Sequence, residues 1–264
     1  MKKTEKIYLT KKEIGELLKS KNLLPFNRQI KKKHAENLEK SISKYGILRN
    51  PIICMLKYDN DKIAIADGQH TLTAIYQLIT SKDKIECNLV KCHTKREVID
   101  LIAKLNTTSV GWRLEDFLSA WLNFGIDNPE YRNYKFINDR MEESTLSLDK
   151  VLNIFIRDKD MFKGGKVVFN DDLVSNTTYI FTKHVRLKYN FPAHTLTGVI
   201  GFAKGVKFKN KDEVKSFISR FDAYIDYLKT KKQTITYHRE FIKLKLFELH
   251  SLTDFEFVKL ISND

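Results

Sequence analysis

The sequence predicts an α+β protein, with a mixed strand-and-helix N-terminal part and a mainly helical C-terminal part. Three observations predict this. Over the first part, short apolar runs alternate with stretches whose apolar residues recur every three to four positions. From about residue 114 the three-to-four spacing takes over. Only 4 Pro and 10 Gly punctuate the 264 residues, and no repeat, low-complexity tract or Pro/Gly/Ser linker interrupts them. The expected division is 1–110 and 111–264.

In the first part, Lys6–Leu9 reads as a short strand. Thr10 and Glu13 form a capping box that opens a helix with Ile14, Leu17 and Leu18 on one face. His34–Tyr45 reads as a second helix, with Leu38 and Ile42 on its apolar face and Gly46 as its stop. Pro51–Leu56 and Lys62–Ala66 are strands joined by the turn Tyr58-Asp59-Asn60-Asp61. Asp67 and Gly68 break the second of them, and a helix follows through Thr71–Ile79. Ile85–Lys91 is the next strand, and Thr94 with Glu97 caps a helix carrying Val98, Ile99, Ile102 and Leu105.

In the second part, Leu114–Leu122 is a helix stopped by Gly125. Trp112, Phe117 and Trp121 are expected to pack between the two parts. Asn128-Pro129 reads as a cap followed by proline at the first helical position. Ser147 caps a helix bearing Leu148, Val151, Leu152 and Phe155, although Lys150 holds the place of a capping-box acid. Gly164-Gly165 suggests a small hairpin. Further helices are expected over Asp171–Leu187, Leu196–Ala203, Asp212–Leu228 and Tyr237–His250, with a last short one after Thr253.

A hydrophobic content of 42% suffices for a core, and no apolar run approaches the roughly 18 residues that cross a bilayer. No apolar stretch follows the N-terminus, so no signal peptide is expected. Three cysteines argue against a disulfide framework, and a cytoplasmic protein with reduced thiols and no membrane partner is expected. The net charge of +14 favours a polyanionic partner such as DNA or RNA. Residues 1–110 hold 22 Lys/Arg against 12 Asp/Glu, so most of the excess is N-terminal. Lysines scattered over solvated faces are the plainer reading of the same number.

The stretch with most chemistry is Ala66-Asp67-Gly68-Gln69-His70-Thr71, where a strand enters a glycine turn and a helix begins at once. A helix start carries unpaired N–H groups and about half a positive charge. Gly68 permits close backbone approach, and His70 and Thr71 add side-chain donors. The combination suits an anion, phosphate above all. Asp67 reads as an N-cap, and any β-α turn needs a cap and a glycine whatever its function.

Short motifs occur in order along residues 24–108. They are Asn27-Arg28, then Leu38-Glu39-Lys40-Ser41-Ile42 with Gly46, then Pro51-Ile52-Ile53, then Asp67-Gly68-Gln69-His70, then Leu105-Asn106-Thr107-Thr108. The series resembles the ParB N-terminal domain, which shares its fold with sulfiredoxins, and the turn is similar to a D-G-Q-H-R variant of ParB-like proteins. The resemblance implies a ParB/sulfiredoxin-like domain whose turn binds the phosphates of CTP or ATP, with Mg2+. Gly68, Gln69, His70 and Thr71 would contact phosphate, Arg28 would stand nearby as a cation, and Asn106 would close the pocket. It also implies a nucleotide-switched DNA-binding protein, nucleoid-associated and homodimeric. A metal-dependent nuclease or nucleotide hydrolase on the same turn, with Asp67 and His70 as candidate catalytic groups, is the alternative. A binding-only module with a degenerate turn is the third reading.

The chain departs from the family in placing Gln69, His70, Thr71 and Thr73 where arginines are usual, which weakens a triphosphate clamp. Leu105 replaces the family's acid, and Gln69 stands where sulfiredoxins carry their reactive cysteine. Among other candidates, Lys31-Lys32-Lys33 precede a helix and read equally as contacts to a DNA backbone and as a solvated run. Residues 131–156 have helix-turn-helix spacing, with an ordinary helical hairpin as the plainer reading. Lys183, Arg186 and Lys188 and two later basic clusters offer other phosphate contacts. Cys87, Cys92 and His93 lack a second ligand pair, so no metal site is expected.

Overall fold

The computed structural model describes residues 4–19, 23–24, 30–106, 112–231, 236 and 238–262. The chain divides into two compact units, 1–128 and 129–264. The expected boundary at 110/111 lies outside the described residues. As predicted, the architecture is α+β, with a four-stranded mixed sheet in the first unit and helices in the second.

In the first unit, β1 (Glu5–Thr10), β2 (Ile52–Leu56), β3 (Lys62–Asp67) and β4 (Lys84–Cys92) are ordered β1-β4-β2-β3. β1 and β4 are antiparallel, β4 and β2 parallel, and β2 and β3 an antiparallel hairpin. The hairpin turns on Asn60 and Asp61, both at positive φ, a conformation these residue types tolerate. Helices α1 (Lys11–Leu17), α2 (Lys32–Tyr45), α3 (Gln69–Leu78), α4 (Lys95–Asn106) and α5 (Leu114–Phe124) complete the unit.

Side-chain alternation sends the residues of β2, β3 and β4 to two separate cores. Ile53, Ile65, Cys87 and Leu89 join Ile14, Leu72 and Ile75 from α1 and α3. Cys54, Ala64, Ala66, Val90 and Cys92 join Val98 and Ile102 from α4. Both faces of β2 and β3 are covered, which is why those strands read as apolar runs rather than as alternating sequence.

Thr10 and Glu13 make the predicted capping box, and Gly46, at φ 76°, ends α2. Thr94 Oγ1 accepts from the Glu97 N–H at 3.2 Å, while the Glu97 carboxylate accepts from the His93 N–H at 2.8 Å. Trp112 and Trp121 pack against the part before residue 111, as expected, and this packing places them in the first unit. Trp112 lies against the α4-side core and edge-on to Phe117, and the Arg96 guanidinium lies over Trp121.

The second unit contains α6 (Tyr131–Ser144), α7 (Leu148–Phe155), the short α8 (Lys159–Lys163), α9 (Asp172–Tyr189), α10 (Ala193–Val206), α11 (Lys211–Thr230), α12 (Arg239–Ser251) and α13 (Asp254–Ser262). Phe181, Phe202 and Phe217 pack mutually at ring distances of 5.1–5.8 Å in its core. Two expectations are corrected. The hairpin at Gly164-Gly165 is instead the end of α8, and the nearby strand pairing is confined to a single Ile156–Phe169 bridge. Asn128 does not cap α6. Its N–H bonds Gly125 O in a 3-10 turn, its side chain is buried, and Glu130 takes the cap position two residues later.

Candidate functional site

The strand β3 delivers the chain to the turn, and α3 begins after the single intervening residue Gly68. Gly68, not Asp67, is the N-cap of α3, at φ 85° and ψ 23°. A left-handed cap is open to glycine at no steric cost. A side chain there would also place its Cβ 3.1 Å from Pro51. Gly68 therefore has a packing reason that holds with or without a ligand. Asp67 remains in the strand, where its carboxylate accepts an ion pair from Arg49 at 3.1 Å.

Gln69 is buried at the first position of α3, and its main-chain oxygen accepts from the Thr73 hydroxyl at 2.8 Å. Thr71 is half-buried in the same first turn. His70 reaches across to α2. Its Nε2 accepts from the Lys31 backbone N–H at 2.9 Å, and its ring meets His34 edge-on at 4.8 Å. Lys31 is the N-cap of α2 and has no capping side chain of its own, so an imidazole from another helix does what the acid of a capping box would do.

This link fixes how the two helices lie. Lys31 meets His70, and further along Ala35, Glu36 and Glu39 share one groove with Thr73, Ala74 and Gln77. The helices thus run side by side in the same sense, with their N-termini together. Each N-terminus carries about half a positive charge, so the pairing concentrates positive potential. Lys31, Lys32 and Lys33 stand exposed at the same end, and the first turn of α2 holds no acid. Cations are unfavourable at a helix N-terminus by roughly 0.3–1 kcal/mol each. A bound anion would reverse that sign.

Of the other predicted residues, Asn27, Arg28, Thr107 and Thr108 lie outside the described residues, and Asn106 is the last residue of α4. The structure brings together Gly68, Gln69, His70, Thr71 and Lys31. The sequence reading missed Arg49, His34 and Pro51. Pro51 and Arg49 come beside the turn through the register of β2 on β3, which pairs Ile52 with Asp67. His34 had a usable signal, since it lies in the first turn of a predicted helix beside the lysine run.

The thiols of the unit are internal. Cys54 donates to Ala64 O at 3.5 Å, and burial pushes its pKa up to about 12 and that of Cys87 to about 11. No group of three or more His, Cys, Asp or Glu placed to hold a metal occurs among the described residues. No helix among them is long and apolar enough to cross a membrane.

In the second unit, the α6–α7 pair of the helix-turn-helix reading forms a hairpin whose second helix is largely internal. Leu148, Val151, Leu152, Ile154 and Phe155 of α7 are buried. Lys150 donates to the Thr197 hydroxyl, and Lys204 donates to Asn153 O. A recognition helix must present several side chains to base edges, and α7 spends its residues on packing instead.

No protein-family model matches the chain, and no curated protein matches it.

Proposed function

We propose that the first unit binds a phosphate-bearing ligand, a nucleoside triphosphate above all, at the joined N-termini of α2 and α3. We propose further that the protein is a ParB-like DNA-binding protein whose nucleotide state biases its grip on DNA. The observation that carries the ligand reading is the parallel pairing of α2 and α3 through Lys31 and His70, with three lysines at the positive ends. Backbone N–H groups, two helix dipoles and lysine ammonium groups then converge on one region, which suits phosphate. The ordered motifs of residues 24–108 and the net charge of +14 support the rest.

The chemistry differs from an arginine clamp. Lysines supply point charges, and the N–H groups of α3 supply direction. Asp67 is held by Arg49, so hydrolysis that relied on this carboxylate would first have to break that ion pair. Binding rather than catalysis is the function the geometry supports best.

A thermal-shift panel tests the reading with CTP, ATP and inorganic phosphate, each with and without Mg2+. A ligand at one hundred times its Kd stabilises by about 2.7 kcal/mol, a shift of several degrees. An unchanged melting temperature across the panel at millimolar ligand would favour the binding-only module instead.

A further inference from the structure

We infer that the open groove between α6, α9 and α11 docks the phosphate backbone of duplex DNA. The inference rests on the DNA-binding reading above and assigns it a surface. The groove has a volume of about 620 Å³ and is lined by Arg140 from α6, by Tyr179, Lys183, His184 and Lys188 from α9, and by Lys211 from α11. Its cations come from three helices that converge in space, so they are not a solvated stripe along one of them.

The acids beside the groove have partners. Glu143 accepts from Arg140 at 2.7 Å and from the Tyr179 hydroxyl at 3.3 Å, and lies 3.7 Å from Lys183. Asp222 accepts from Lys188 and from Tyr189, each at 2.6 Å, and lies 2.7 Å from the His184 ring. Lys211 pairs with no carboxylate among the described residues. Four permanent cations thus stand against two carboxylates.

Aromatic contact stiffens part of the set. The Arg140 guanidinium lies 5.2 Å and the Lys183 ammonium 5.6 Å from the centre of the Tyr179 ring. Cations held over a ring face and still open to solvent are arranged to meet an extended anion. A single small anion would find no enclosure here, because the groove is open. Contact of this kind positions a duplex without reading its bases. It also gives the helical unit a DNA surface that does not depend on the internal helix α7.

The test is anisotropy of a labelled 30-base-pair duplex across a salt series, with the full chain. Its variants are Lys183→Ala/Lys188→Ala/Lys211→Ala and, as the reference, Lys31→Ala/Lys32→Ala/Lys33→Ala. The wild type is expected to bind, and the groove variant to lose at least tenfold in affinity at low salt. The slope of log affinity against log salt should fall by about 3, roughly 0.9 for each phosphate contact removed. Should the triple variant fold poorly, Lys211→Glu alone, at an exposed position, carries the same expectation in smaller measure. Wild type that binds while the groove variants keep its affinity and slope overturns the groove and leaves DNA binding intact. Wild type that binds single-stranded RNA but no duplex overturns the partner. Wild type that binds neither overturns the groove together with the DNA-binding reading.

Discussion

The two cationic regions of this protein are built from different materials. At the N-termini of α2 and α3 two helix ends, held in place by a left-handed glycine, a proline contact and one imidazole, add backbone N–H donors of fixed direction to the charge of three lysines. In the α6/α9/α11 groove the positive potential comes from long side chains balanced by Glu143 and Asp222. Backbone donors are fixed in direction and depend on the fold. Side-chain cations swing, screen with salt, and can be removed without disturbing the fold. The first arrangement suits a compact ligand of definite shape, and the second a long polyanion.

The largest expected effect that separates them is on stability. Gly68→Ala forces a side chain into a left-handed cap and against Pro51. It should cost about 2–3 kcal/mol in urea unfolding of the first unit and remove phosphate binding. The triple lysine variant of the groove should stay within about 0.5 kcal/mol of wild type. Equal stability losses at the two places would erase the distinction between backbone-built and side-chain-built regions.

His70→Ala is the next largest. It deprives the Lys31 N–H of its acceptor and should cost about 1 kcal/mol, with faster amide exchange at the start of α2 and weaker phosphate binding. If amide exchange there does not change, the imidazole is not what joins the two helices.

Lys33→Glu should act in the opposite direction. Without ligand it replaces a cation by an anion at a helix N-terminus and should raise stability by roughly 0.3–1 kcal/mol, while phosphate affinity falls. A variant that binds phosphate as well as wild type would detach the lysines from the site.

The smallest effect lies at α1. The Thr10 N–H, and after it the Thr10 hydroxyl, hold the Glu13 carboxyl below its usual range. A depressed carboxyl contributes stability above its unfolded pKa and loses it as pH falls through the lower folded value. Fraying of α1 should therefore appear only in strongly acidic solution, and Glu13→Gln should make it independent of pH. Nuclear magnetic resonance of Thr10 and Glu13 amides would follow it.

Much of the fold was legible because local chemistry and tertiary packing agreed. Thr10 with Glu13, Gly46, and the strands Pro51–Leu56 and Lys62–Ala66 on either side of their turn each pointed to the element that formed. Errors arose where distant groups took over. Asn128 looked like a cap because Pro129 follows it, yet its N–H closes a turn with Gly125. Gly164-Gly165 looked like a hairpin because the turn residues of a helix end and of a hairpin are the same. At the candidate site, the glycine and the helix start could be read from the sequence. The partnership of His70 with Lys31 could not, because no spacing rule links residues 39 positions apart.

The cysteines have a practical consequence. Cys54, Cys87 and Cys92 are the only cysteines in the chain, all belong to the first unit, and all are fully buried. A thiol reagent can reach them only when that unit opens. Labelling rate therefore clocks the opening of the first unit alone, even in a full-length chain whose units melt over the same temperature range. A ligand gripped by α2 and α3 should slow that clock, while one lying only along α6, α9 and α11 need not. The buried sulfurs thus give the first region its own readout within one intact molecule.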